Sequence, residues 1–525
     1  MRVSSLLLLT GALMTHGKTF HWPSPEMDWI DSVLYEQPFF ENITANCAAR
    51  DNTTVAAQWI RLAFHDMSTY NVDDGTGGLD GSVIYEFDRA ENIGMNRSIG
   101  DFLGFSAPFF SLADIIAAGV VIGTVSCDGP KIPYRAGRID ATSSGPLGVP
   151  QPQEDLALLT ERFRKAGFTP SEMISFTACG HVLGGVTQQD FPEVLKDRPF
   201  VFFNEKTRLF DNGVVTQYLD GSTTNPLVVG VNETMNSDLR IFSSDGNATM
   251  QSLTSPNDFR STCASLFERM INTVPRNVAL TDVIDPFDFK VGTARLSVTD
   301  DTNKLVMTAS LRILNPKDNP NREVSLVWVD RDGTSPCGEK CTSPATNVSQ
   351  IGTTLLTKGH GKTALQYTFM VDNIDPAKSI AKFWFEIDEK DGSPKTEVKN
   401  DDGSGYVVEE HDVLYDVTRS KINFSATQAN FTSLIVIAVK DEYAQDAQIR
   451  LQTFNPFLLP FRTSVLNATL DPQFPKAAGY SFFSVSPEPL TNSFDVYYGD
   501  VVPNNLRQKF GLVFEAKNVG VLPPS

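Results

Sequence analysis

The chain has 525 residues and sets 44 basic against 63 acidic side chains, a net charge of −19. That length suggests more than one domain, each able to bury a core, and a hydrophobic share of 41% with 36 Phe marks a globular chain, not a disordered one. The acidity argues against nucleic acid, whose phosphates demand clustered Lys and Arg, and against electrostatic docking on anionic membranes.

Residues 1–17 read as a secretory leader: Arg2, then about ten apolar residues, then small residues near Gly17. The run is too short to span a bilayer, and the end at Ser525 lacks the hydrophobic tail of a lipid-anchor signal. Glycosylation triplets begin at Asn42, Asn52, Asn96, Asn232, Asn247, Asn347, Asn423, Asn430 and Asn467. Their spread over both halves agrees with a secreted, extracellular glycoprotein. In that setting six cysteines read as disulfides, and the absence of any C-x-x-C weakens zinc and redox-relay readings. Cys337 and Cys341 are close enough to pair across a tight loop.

Up to about Pro286 the pattern is helical. Thr53 to Asp66 carries Val55, Trp59 and Leu62 beside Ala56, Ile60 and Ala63, a wide apolar stripe. Ser111 to Val125 is apolar nearly all round, which predicts a central buried helix. Thr169-Pro170-Ser171-Glu172 predicts a helix start with a capping box. Phe259 to Asn272 predicts one more. Beyond Pro286 the period changes to that of strands: Arg295–Val298, Leu305–Leu314, Val324–Val329, Ala381–Ile387 and Leu434–Val439, punctuated by Asp332-Gly333, Asp391-Gly392 and Asp402-Gly403. Those Asp–Gly pairs miss the EF-hand spacing and read as plain turns. The expected organisation is multi-domain: a mainly α domain over 18–286 and an all-β, sandwich-like region over 287–525.

The chemistry concentrates in Gln58-Trp-Ile-Arg61-Leu-Ala-Phe64-His65-Asp66. Arg61 and His65 stand four apart, so both leave one face of a helix. A guanidinium beside an imidazole favours the neutral ring, which gives a base next to a fixed cation. A second histidine lies in Ser175-Phe-Thr-Ala-Cys-Gly-His181-Val-Leu-Gly-Gly185, where Gly180 and the glycines beyond allow something large and flat to approach the backbone.

These segments carry a resemblance. Arg-Leu-Ala-Phe-His-Asp66, Gly77-Gly-Leu-Asp80-Gly-Ser82 and Ala-Cys-Gly-His181 resemble the plant, fungal and bacterial haem peroxidase superfamily, its secreted fungal class in particular. Ser126-Cys-Asp-Gly-Pro with Ala136-Gly-Arg138, Arg240-Ile-Phe-Ser-Ser-Asp245 and Arg276-Asn-Val-Ala-Leu-Thr-Asp282 follow in the family's order. The resemblance covers about Cys47 to Ile284.

It implies a haem peroxidase fold with haem b as cofactor and hydrogen peroxide as substrate. His181 would be the axial iron ligand, and Asp245 would accept the other ring N–H. His65 would be the general acid–base, Arg61 the stabiliser of developing charge, and Phe64 an apolar wall. Asp66, the Gly78 carbonyl, Asp80 and Ser82 match a calcium site beside His65. Val182 follows the axial histidine where a second calcium site needs Ser or Thr, so one calcium is expected although Asp211 remains. Asn96 matches either the Asn that hydrogen-bonds His65 or a glycan site. Cys47–Cys127 matches a family disulfide, and Cys179–Cys263 is the remaining pairing.

The resemblance also narrows the reducing partner. The positions for a manganese site hold Thr54, Gln58 and Thr187, none acidic, and where ascorbate users place an Arg this chain has Asp190. No Trp occurs between Trp59 and Trp328 to flank His181. What remains is a small phenol or aromatic amine. The β region matches no named family and would serve targeting, for instance to a cell-wall or polysaccharide surface. The rival reading is a haem-binding or degenerate peroxidase-like protein whose β half acts as an adhesion or carbohydrate-binding module.

Overall fold

The computed structural model describes residues 20–36, 39–205, 208–299, 303–333, 337, 340–351, 353–409, 411–424, 431–445, 447–488, 493–498, 511–512 and 517–518. The leader expected over 1–17 and Asn430 lie outside the described residues. No helix among the described residues is long and apolar enough to cross a membrane.

Six helices position the first half: α1 (Val55–Met67), α2 (Leu112–Ser126), α3 (Leu156–Lys165), α4 (Pro170–Gly180), α5 (Ser237–Phe242) and α6 (Pro256–Asn272). Each of the longer ones starts where a side-chain oxygen relieves an orphan backbone N–H. Thr54 Oγ1 accepts from Ala57 N at 3.1 Å and Ser111 Oγ from Asp114 N at 3.0 Å. At α4 the capping box is complete, with Thr169 N donating to Glu172 Oε2 at 2.8 Å and Thr169 Oγ1 accepting from Glu172 N at 3.3 Å.

As its composition demands, α2 is buried on nearly all sides, and α1 lies against it. Gly123 permits that approach. A Cβ there would sit 3.3 Å from the Ala56 Cα, so a larger residue would push α1 away. Cys47–Cys127 and Cys179–Cys263 are both formed, closing separations of 80 and 84 residues. Loops of that size each restrict the unfolded chain by about 4 kcal/mol in the chain-entropy picture.

Among its described residues the second half has strands and only short helical turns as regular structure. One antiparallel sheet runs Phe289–Val298, Leu305–Leu314, Ala364–Ile374, Asn347–Gln350; a second runs Thr396–Val398, Lys382–Asp388, Glu323–Val329, Cys341–Pro344. Val291, Leu305, Leu311 and Phe369 of the first share one core with Leu326, Phe383 and Phe385 of the second, which makes a sandwich. A third, larger sheet is centred on Phe431–Lys440. Val436 and Ala438 join the sandwich core, while Ile435, Ile437 and Val439 face a second core with Leu451 and Phe494. Burial on both faces is why that stretch reads as an unbroken apolar run and not an alternation. Cys337–Cys341 is formed at the edge of this region.

The change from helix to strand falls between Asn272 and Phe289, but the two halves exchange pieces. Phe20 and Trp22 are buried in the β core, where Trp22 meets Phe383 edge-on at 5.2 Å. In return Leu356, on a short helix of the β half, is buried in the helical core. Between them, buried Arg312 and Lys290 take Asp31 at 2.5 Å, Asp28 at 2.8 Å and Glu36 at 3.0 Å. Burial pushes the Glu36 carboxyl up, but the two cations override it and hold it at about 2. A buried network of this kind fixes which surfaces meet more than it adds net stability.

Candidate active site

A cavity of about 660 Å³ is lined by α1, α3, α4, the strands β1 (Gly185–Thr187) and β2 (Phe200–Phe202) with their connection, and α5. Arg61, Phe64 and His65 reach it from α1, and His181 from the C-terminal end of α4. Among the described residues, none beyond Met270 lines it. Phe64 forms an apolar wall, edge-on to Phe176 of α4 at 5.4 Å. At Gly180 a Cβ would meet nothing within 4 Å, so the missing side chain leaves open space on the cavity wall.

The two histidines are held by the same ring nitrogen and by different partners. His65 Nδ1 lies 2.9 Å from Asn92 Oδ1, and Asn92 Nδ2 donates to Glu86 O at 3.1 Å. That second bond orients the amide so that its oxygen faces the ring. Nδ1 therefore carries the proton, and Nε2 is left as the basic atom. Burial first, then the Arg61 charge, lower the His65 pKa to about 3 against the opposing bond from Asn92. Across the ordinary pH range the ring is a neutral base.

His181 Nδ1 donates to Asp238 Oδ2 at 2.7 Å. Asp238 is buried at the start of α5, where its side chain is 1% exposed, and Oδ2 also accepts from Asn225 Nδ2 at 2.8 Å. Phe203 stacks on the imidazole at 4.1 Å and 14°. A carboxylate on Nδ1 makes Nε2 a stronger electron donor and fixes the ring plane.

Two expectations are corrected here. Asp245 does not reach His181; it is exposed, and its Oδ2 accepts from Thr249 N at 2.9 Å and from Thr249 Oγ1 at 2.5 Å. The physical reason is that Ser243-Ser244-Asp245-Gly246-Asn247 is turn-forming chemistry, and α5 ends at Phe242 before it. Asp238, Ile241 and Phe242 form the buried face of α5, so the acid in phase with that face takes the role. Asn96 does not hold His65 either. It is exposed at the start of a short helix, and Asn92, 1% exposed, makes the bond. Asn225, Phe203 and Phe191 were also missed, because nothing local marks them.

Asp66, Asp80 and Ser82 adjoin one another. Ser82 Oγ lies 3.4 Å from Asp66 Oδ1, and Ser82 N donates to Asp80 Oδ1 at 3.1 Å. Thr69 Oγ1 lies 2.7 Å from Asp66 O and 3.3 Å from Gly78 O. The Asp66 carboxylate accepts from Gly81 N at 2.7 Å and Val83 N at 2.9 Å. Burial, then the neighbouring Asp80, push Asp66 well up, and burial raises Asp80. Among the described residues no group of three or more His, Cys, Asp or Glu forms a metal cluster.

The Peroxidase family model matches residues 41–253, the segment that supplies all of this cavity's lining except Met270. The N-terminal half is a domain of the haem peroxidase superfamily. The chain is 38% identical over 296 residues, 54% of its length, to a WSC domain-containing protein of Arthroderma benhamiae, 41% of which is covered. It is 30% identical over 167 residues, 29% of its length, to putative L-ascorbate peroxidase 6 of Arabidopsis thaliana, covering 50% of that protein. Manganese peroxidase 2 of Phlebia radiata is 31% identical over 136 residues, 23% of this chain and 35% of its own length. The chain thus spans half or less of each of these relatives.

Proposed function

We propose that the protein is a secreted haem peroxidase that reduces hydrogen peroxide and oxidises small phenols or aromatic amines in one-electron steps. One observation carries the reading: His65, kept neutral and paired with an amide, and His181, paired with a buried carboxylate, line the same 660 Å³ cavity. The chamber is large enough for a porphyrin, the wall at Gly180 is open, and Phe64, Phe176 and Phe203 supply apolar surface. Haem b, when bound, supplies the iron that exchanges electrons with peroxide and donor.

This chain's residues do the rest. His181 would offer Nε2 to the haem iron, while Asp238 holds the Nδ1 proton. His65 Nε2 takes a proton from one peroxide oxygen and returns it to the oxygen that leaves as water, which is why the base must be neutral before the reaction. Arg61 stabilises the negative charge that builds on that oxygen. Two donor molecules then give one electron and one proton each, so that one peroxide yields two waters and two donor radicals.

Calcium is assigned to Asp66, Gly78 O, Asp80 and Ser82. Two buried carboxylates, Asp66 pushed up by burial and by the charge of Asp80, and Asp80 pushed up by burial, are a donor set of hard oxygens suited to a divalent cation. Bound there, it would brace the end of α1 next to His65. Secretion and glycosylation rest on the leader-like 1–17 segment and on exposed triplets such as Asn42, Asn52, Asn96, Asn347 and Asn467. Among its described residues the β region lends none to the cavity lining, which supports a role outside the chemistry, such as attachment to a cell-wall polysaccharide.

The test is reconstitution of the full-length protein with haem. A Soret band that shifts on adding peroxide is expected, and His181→Ala should abolish haem retention. A protein that takes up no haem would overturn the proposal.

A further inference from the structure

Arg61 leaves the same helix as His65, yet its guanidinium is also gripped from the other side of the sequence. Nη2 donates to Glu91 O at 2.7 Å and Nη1 to Ile93 O at 3.2 Å. The Phe191 ring lies 5.3 Å from the guanidinium carbon, within the range of a cation–π contact. Burial lowers the Arg61 pKa to about 10, and the negative charge of Asp190 opposes that loss. A guanidinium carries five N–H donors, and the two carbonyls take two of them.

Asp190 and Phe191 belong to the connection between β1 and β2, only a few residues beyond His181. Phe191 is well anchored there. Its N–H donates to Thr187 O at 3.0 Å, and its carbonyl accepts from Val194 N at 3.1 Å and Leu195 N at 3.2 Å. It packs against a small cluster formed by Val186, Val194, Leu195, Val201, Phe203 and Leu227. Phe203 of that cluster is the ring stacked on His181. Contact therefore runs without a gap from His181 through Phe203 and this cluster to Phe191 and on to Arg61.

We propose that Phe191, with Asp190 beside it, is a positioning residue for Arg61, fixing the guanidinium on the cavity wall from the segment that follows His181. An unrestrained arginine would have to find its pose in each turnover; here the ring face and two carbonyls set that pose in advance. The contact also ties the wall that carries His65 to the segment that carries His181, so a shift on one side is felt on the other. The catalytic meaning rests on the peroxidase reading above, but the clamp itself does not.

Two measurements on the full-length protein decide the matter. The first needs no haem. Arg61→Leu should raise amide hydrogen exchange at residues 188–195 severalfold, with peptides from α6 unchanged, because the connection loses its tether. Unchanged exchange at 188–195 would overturn the clamp. The second uses the haem-loaded protein and fluoride, an anion whose binding at the iron is read from the absorption spectrum. Phe191→Ala should weaken fluoride binding about tenfold, the order expected of a sheltered cation–π contact. Phe191→Tyr should restore it, and in an Arg61→Leu background Phe191→Ala should add nothing. An equal loss in that background, or no loss at all, would overturn the positioning role. A protein that retains no haem would sink the peroxidase reading alone, and the exchange measurement would still decide for or against the clamp.

Discussion

His65 and His181 are the same side chain put to opposite uses, and the difference lies in what each Nδ1 touches. Asn92 Oδ1 is a neutral acceptor at 2.9 Å, and Asp238 Oδ2 is a carboxylate at 2.7 Å, drawn closer still by charge. The amide fixes a tautomer without adding charge, so burial and Arg61 are free to keep the His65 ring neutral. The carboxylate fixes a tautomer too, but it also pushes electron density through the ring to Nε2. One ring is thereby suited to moving protons and the other to holding a metal. The lesson is that the partner of the far nitrogen assigns the role.

The comparison breaks most completely at His65. Replacing it with Leu removes the base while leaving the partner of His181 untouched. The rate of reaction with peroxide should fall by about 10²- to 10⁴-fold in stopped-flow measurements, with the Soret band retained. A near-normal rate would remove His65 from the mechanism. Asp238→Asn makes the two sides alike, an amide on each, and should cost about 10- to 100-fold in haem affinity or activity. If Asp238→Asn behaved as the unaltered protein, the electron-donor role of this pair would be wrong.

Asn92→Asp makes the sides alike in the other direction. A carboxylate on Nδ1 stabilises the protonated ring, so the His65 pKa should rise from about 3 by roughly one to three units. The sign follows directly. The ring works as a base only when neutral, so the rate is lost as pH falls through its pKa, and raising the pKa moves that loss to higher pH. The acid limb of the pH–rate profile should therefore shift upward in Asn92→Asp. An unmoved limb would mean that the Asn92 contact does not govern His65.

How much of this was legible in the sequence follows from the range of the forces involved. Arg61 and His65 share a helix face, so their proximity is a matter of local period. The cap at Thr169 and the strand Leu305–Leu314 are equally local, and both stand in the structure where the pattern puts them. Asn92 and Asp238 lie 27 and 57 residues from the histidines they hold, and only tertiary packing brings them there. The insertion of Phe20 and Trp22 into the β core is the same kind of fact. The motif points only to Asn96, which is exposed at the start of its helix, whereas the bond to His65 comes from buried Asn92 four residues earlier.

Asp245 gives the smallest effect and the sharpest control. Its motif is the one the family resemblance picks out, so it would be the natural choice for mutagenesis on sequence grounds. In the structure its carboxylate binds Thr249 at the start of the helix Ala248–Ser252, facing solvent. Asp245→Asn keeps an oxygen able to accept from Thr249 N. Haem retention and the peroxide rate should then stay within about twofold of the parent, in keeping with surface changes that leave no buried group unpaired. A loss at Asp245 as large as that at Asp238 would show that α5 extends past Phe242 when haem is bound, and the assignment of the His181 partner would pass from one acid to the other.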